Sequence, residues 1–164
     1  MNIVFDSSTL ILLAKIEILR IVADDIQIII PERVEAECTA KESFDGKLIS
    51  TLIEEGKIKV EKIRKRETIN KLCKDFKLHI GEAEALYMAV ERGCPIAVDD
   101  LPTIKACKVF NQSFTTAIHF LTNILKDGKV DMQTAIVKLE KLSLYGRYNR
   151  RIIDNARKRL EGEN

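Results

Sequence analysis

The chain has no tryptophan, and aromatic residues make up only 5% of it. No row of aromatics is therefore visible on which the bases of a single strand could stack. Histidine is almost missing too. His79 and His119 are the only two, which excludes a histidine-rich metal centre. The four cysteines, at 38, 73, 94 and 107, form no Cys-x-x-Cys pair, whereas a structural zinc site needs closer pairs. They are expected to be buried thiols in a reducing compartment. No apolar run reaches the ~18–20 residues that span a bilayer. The greasiest stretch, Leu10 to Ala23, is interrupted by Lys15, Glu17 and Arg20. The opening Asn2-Ile3-Val4-Phe5-Asp6 lacks the basic segment and small-residue cleavage site of a signal peptide. A soluble, cytoplasmic protein with no membrane partner is expected. An excess of charge of one sign is also missing. Against 27 basic residues stand 25 acidic ones, a net of +2, which excludes a histone-like polycation but leaves room for a local basic surface.

What is present is an ordinary globular balance, with 46% hydrophobic and 32% charged residues. A chain of 164 residues suits one domain able to bury about two thirds of its unfolded surface. No linker rich in Pro, Gly or Ser divides it. We expect a single domain over 1–164, with C-terminal helices over about 131–161 as an appended basic part. Ile3-Val4-Phe5 reads as a strand that stops at Asp6. Ser7-Ser8-Thr9 then offer caps to a helix whose apolar periodicity runs through Leu10, Leu13, Ile16 and Leu19. Ile26–Ile30 is a second strand, ended by Pro31, which starts a helix bearing Val34, Glu37 and Cys38. A helix over 48–55, a strand over 58–63 and a basic helix over about 67–76 follow. Next come a helix over 82–92 after Gly81, a strand over 96–98, a helix through Ile104 and Cys107, and a short strand over 113–116. Helices near 117–126, 131–142 and 147–161 finish the chain. Alternating strands and helices predict an α/β fold, a three-layer α/β/α sandwich on a central parallel sheet.

Acids stand at telling places. Asp6 follows the first strand, and Asp99-Asp100 follow a later one. In an open α/β sheet the carboxyl ends of the strands share one edge, where ligands bind. Two helices can add Glu37 and Glu82 to that edge. On its helix Glu82 shares a face with Ala85, Leu86 and Ala89 and is expected to point inward. Glu84, ~200° away at ~100° per residue, is expected to face solvent or a partner. Crowded carboxylates raise one another's pKa. A divalent cation removes the conflict, and hard oxygens without His or Cys select Mg²⁺ or Mn²⁺. Such an ion lowers the pKa of a bound water and stabilises a phosphoryl transition state.

Four segments resemble, in order, the motifs of PIN-domain proteins. They are Phe5-Asp6-Ser7-Ser8-Thr9-Leu10, Pro31-Glu32-Arg33-Val34-Glu35-Ala36-Glu37, Gly81-Glu82-Ala83-Glu84-Ala85-Leu86, and Ile96-Ala97-Val98-Asp99-Asp100. The resemblance covers about residues 1–125. It implies an α/β/α sandwich and a Mg²⁺- or Mn²⁺-dependent endoribonuclease, and among prokaryotic members a VapC-like toxin of a toxin–antitoxin pair. It further implies an RNA substrate, a small antitoxin as partner and a homodimer. By the same resemblance Asp6 is the first metal ligand, Glu37 the second acid and Glu82 the third. The fourth falls on Asp99 or Asp100, with Asp99 favoured because it follows the strand directly. Ser8 matches a polar residue that would bond Asp6 or a metal-bound water, and Thr115 or Thr116 a threonine near the last strand. Leu101-Pro102-Thr103 depart from the family pattern.

Two basic runs bear on the substrate. Lys57 to Lys77 holds nine basic and three acidic residues; Tyr145 to Arg159 holds six and one. Both suit backbone phosphate, and in Tyr145-Gly146-Arg147-Tyr148 a tyrosine could also stack a base. The apolar helices over 10–23 and 48–55 are core, with any leftover surface suited to a dimer or an antitoxin helix. Dehalogenase-like phosphatases are disfavoured because Ser8 replaces their second Asp. Response-regulator receivers are disfavoured because no lone phosphoacceptor Asp stands on a central strand. A non-catalytic RNA-binding protein would not need the full set of acids.

Overall fold

A computed structural model describes residues 1–162. Along the chain it has β1 (Asn2–Phe5), α1 (Ser7–Lys15), α2 (Leu19–Asp25), β2 (Gln27–Pro31), α3 (Glu32–Thr39), α4 (Phe44–Glu54) and β3 (Ile58–Glu61). Then come α5 (Arg66–Phe76), α6 (Ile80–Arg92), β4 (Ile96–Ala97), α7 (Leu101–Val109), β5 (Phe114–Thr115), α8 (Ala117–Lys126), α9 (Met132–Tyr145) and α10 (Arg150–Leu160). Among the described residues no helix is long and apolar enough to cross a membrane.

The five strands form one all-parallel sheet in the order β3-β2-β1-β4-β5. Helices cover both faces, giving the three-layer α/β/α sandwich expected from the alternation. Side chains on β1 alternate between the two layers. Ile3 and Phe5 enter one core with Leu10, Leu13, Ile28, Ile30 and Leu121; Val4 enters the other with Ile29, Leu86, Ala89 and Val98. Phe5 has no exposed surface and stacks on Phe120 of α8 at 5.4 Å between ring centroids. Burying such a ring contributes about 1.5–3 kcal/mol. The C-terminal helices join the Phe5 core through Ala135, Leu139 and Leu142 of α9 and Ala156 and Leu160 of α10.

The apolar stripe from Leu10 onward is two helices rather than one. Glu17 takes a left-handed conformation (φ 61°) between them. Its carboxylate receives Lys138 at 3.3 Å and Lys141 at 2.9 Å from α9. Both ammonium groups lower its pKa, Lys141 most. An exposed pair of this kind is worth little in energy, but it ties the α1–α2 corner to α9. No large apolar side chain of α1 or α2 is exposed. Leftover apolar surface on residues 10–23 is therefore confined to the partly exposed Ile11 and Ile21, the rest being covered by neighbouring elements.

The strand order places the candidate acids. The chain builds β1, β2 and β3 outward on one side, then returns to lay β4 on the other side of β1. The switch point therefore lies between β1 and β4. Register pairs Val4 with Ile96 and Phe5 with Ala97. The residues that leave these two strands, Asp6 and Asp99-Asp100, thus emerge side by side.

Candidate functional site

Asp6 is the N-cap of α1, with no exposed surface. Its Oδ1 accepts from the Thr9 N–H at 2.9 Å and its Oδ2 from the Ser8 hydroxyl at 2.7 Å. Burial pushes its pKa well above the ordinary carboxylate range. The hydrogen bonds from Thr9 and Ser8 oppose that rise, and the Asp100 carboxyl, in hydrogen-bond contact with it, adds to it. Asp100 is in turn the N-cap of α7, its Oδ2 accepting from the Thr103 N–H at 2.8 Å. Its Oδ1 is buried and has no hydrogen-bond partner. An orphaned carboxylate oxygen against a second carboxylate is costly unless a proton or a cation lies between them.

Asp99 faces the other way, as successive residues leaving a strand do. Its Oδ2 accepts from the Thr9 hydroxyl at 2.7 Å, and both oxygens accept from the Ala117 N–H at 3.1–3.2 Å. The Tyr148 hydroxyl donates to Oδ1. Burial raises the Asp99 pKa, and the bonds from Tyr148, Thr9 and Ala117 oppose that rise. Asp99 thus joins the starts of α1 and α8 to the α9–α10 connection. The preference for Asp99 at the shared edge meets a different geometry here. Its lone pairs are taken by protein donors, and it is Asp100 that touches Asp6.

The two glutamates stand further out. Glu82 is the third residue of α6, and its Oε2 accepts from the His79 N–H at 2.8 Å, closing a capping box at the helix start. That box starts the helix at Ile80, ahead of the expected Glu82. Partial burial raises the Glu82 pKa, and the charges of Asp100 and Glu37 raise it further. Glu37 lies on α3 and pairs with Arg33 at 3.6 Å. Its carboxylate packs on the backbone of Gly81, where a Cβ would sit 2.6 Å from both oxygens. Only glycine admits that approach. Glu84 feels Arg33, Glu37 and Glu32, and its pKa is raised chiefly by partial burial.

Asp6 and Asp100 therefore form the centre, with Glu82 and Glu37 within electrostatic reach. Among the described residues, no three His, Cys, Asp or Glu side chains are gathered into a ready-made metal cage. Nearby thiols do not supply ligands. Burial and the neighbouring carboxylates push Cys38 and Cys107 up to about 12, so both stay protonated. The donor set is oxygen alone, which suits a hard cation. Mg²⁺ in particular keeps several waters and needs only one or two carboxylates.

Thr9, the Ala117 N–H and Tyr148 escaped sequence reasoning. Tyr148 stood out there only as one of two tyrosines, with Tyr145, in a segment that could stack a base. In the structure its ring lies against Gly146, whose added Cβ would be 2.5 Å from it, and its hydroxyl turns inward to Asp99. It is not free to stack. Tyr148→Phe is expected to lower stability by roughly 1–3 kcal/mol, because half-buried Asp99 loses a donor. Urea unfolding checks this; an unchanged midpoint would mean that the bond carries no weight. Thr115, expected near the last strand, has a buried hydroxyl with no partner, as has Thr103. Thr116 caps α8 instead.

A family model described as a PIN domain matches residues 2–161. No curated protein matches the chain.

Proposed function

The chain belongs to the PIN-domain family, and on that premise we propose that it is a Mg²⁺- or Mn²⁺-dependent endoribonuclease that hydrolyses RNA phosphodiester bonds. PIN domains are generally nucleases that use divalent metals, and the fold is the PIN-like sandwich. The observation that carries the reading is the contact between buried Asp6 and half-buried Asp100 at the β1–β4 switch point, with one buried Asp100 oxygen unpartnered. Asp6 and Asp100 would hold the cation, with Glu82 and Glu37 receiving the waters around it. Asp99 belongs to the site as a positioning residue. When bound, such an ion supplies an activated water and charge stabilisation at the phosphoryl group. The protein's own part is to fix the carboxylates. Ser8 and the Thr9 N–H orient Asp6, the Thr103 N–H orients Asp100, and Asp99 locks the adjoining backbone.

The test is cleavage of a labelled single-stranded RNA by the full chain in Mn²⁺. Excess EDTA is expected to abolish it, and restored Mn²⁺ to bring it back. Cleavage that survives EDTA would overturn the metal-dependent reading.

The finer reading is a cytoplasmic toxin of a toxin–antitoxin pair, acting as a homodimer and restrained by a small antitoxin. It rests on the order of the four motifs and on the acidic centre, which would receive an arginine from such an inhibitor. A short adjacent reading frame whose product blocks cleavage would support it; a chain that cleaves RNA with no such neighbour would be a stand-alone nuclease.

A further inference from the structure

A groove of about 440 Å³ runs beside α8. Thr116, His119, Asn123 and Lys126 line it from one face of that helix, at the three- and four-residue spacing that aligns side chains. Arg159, from α10, lines it as well. No carboxylate lines it among the described residues, and neither Lys126 nor Arg159 is in an ion pair there. Arg157 of α10 is by contrast held by Glu140, and Arg150 lies near Asp154. The groove begins beside Asp99, the residue that precedes Asp100 of the acidic centre. Thr116 lines its end, and the next residue's N–H, that of Ala117, is bound by Asp99. A helix of ten residues makes it about 15 Å long, room for a few nucleotides.

We propose that this groove binds the sugar–phosphate backbone of single-stranded RNA on one side of the scissile bond. The proposal rests on the ribonuclease reading and gives the substrate its path. Lys126 and Arg159 neutralise phosphates, while the Thr116, His119 and Asn123 side chains supply hydrogen bonds to phosphate or ribose. Ile118 also lines the groove, but among the described residues no Phe, Tyr or Trp does, so no aromatic platform for stacking a base is present and the groove reads backbone rather than base identity.

The test measures anisotropy of a fluorescent single-stranded RNA, with EDTA present so that binding is separated from cleavage. The double variant Lys126→Ser/Arg159→Ser is expected to weaken binding about tenfold at 0.1 M salt. Because two phosphates then go without a cationic partner, the slope of log K against log salt should shrink by about 1.4. Asn123→Lys, which adds a cation to the groove, should tighten binding two- to threefold and guards against a folding defect in the double variant. Lys71→Ser/Lys74→Ser on α5 tests the rival basic run over 57–77. Equal binding by wild type and both groove variants, or loss only in the α5 variant, would overturn the groove. So would a groove that holds a polyglutamate peptide but not RNA, since it would then be a protein-docking site. A wild type that neither binds nor cleaves RNA would instead remove the ribonuclease reading itself.

Discussion

Asp100→Asn is expected to lower RNA cleavage about 10³-fold and, without metal, to raise the melting temperature. The two effects share one cause. In the wild type the Asp6 and Asp100 carboxyls touch in a buried place, and one Asp100 oxygen has no donor. An asparagine at 100 still accepts from the Thr103 N–H and so keeps the cap on α7. Its amide can donate to Asp6 and removes the like-charge conflict. The same change removes an anionic ligand from the site, and losses of that kind cost about 10²–10³ or more in rate. Asp6→Asn should behave alike, because asparagine also caps α1. Asp99→Asn should show the opposite sign in stability. Its two oxygens accept from Thr9, Ala117 and Tyr148, and an amide nitrogen there would face a donor. A loss of roughly 1–3 kcal/mol is expected. Glu84→Gln should leave cleavage within about twofold of wild type, since Glu84 lies against Arg33 and the α3 acids, away from the pair. Thermal melts and single-turnover cleavage of these variants decide the matter. An Asp100→Asn protein as active as wild type, beside a stable and inert Asp99→Asn, would move the ligand role back to Asp99.

The second large effect is linkage among pH, metal and stability. Asp6, Asp99 and Glu82 all have pKa values raised in the folded state, burial being the main cause in each. A raised acid keeps its proton in the native protein after the unfolded chain has released it. Its favourable contribution is complete below the unfolded value, about 4. It is lost as pH climbs through the higher folded value. The metal-free protein should therefore lose stability as pH rises from about 4 towards neutrality. Glu17, Asp24, Glu55 and Asp131 have lowered values and work in the opposite sense. They lie at the surface, where solvent and salt screen them. A cation binds only the deprotonated carboxylates, so Mn²⁺ should stabilise little near pH 5 and strongly near pH 7.5. At a hundredfold excess over its dissociation constant the gain is about 2.7 kcal/mol, or roughly 5–10 °C in a chain of this size. Melting curves at both pH values, with EDTA or Mn²⁺, check this. A Mn²⁺ shift equal at the two pH values, or retained in Asp6→Asn, would show that the ion binds elsewhere.

The sequence by itself determined the layers. Runs such as Ile3-Val4-Phe5 and Ile28-Ile29-Ile30 are apolar on both faces, which only a sheet covered on both sides can bury, and the helical periodicities between them supply the covers. It also marked the acids, because carboxylates that follow a buried strand stand at the sheet's carboxyl edge, where Asp6 and Asp100 cap the next helices. Tertiary structure decided which acids meet. Asp99 and Asp100 are adjacent in the chain and equally acidic; only the placement of β4 against β1 sends Asp100 to Asp6 and leaves Asp99 to the Thr9 hydroxyl, the start of α8 and Tyr148. Tyr148 lies 49 residues from Asp99, and no local pattern records which way its ring turns. Such contacts depend on how α9 and α10 return to the sheet, and that path is set by the packing of Leu139, Leu142 and Leu160 into a common core. Periodicity shows that a residue is buried; only packing decides what it is buried against.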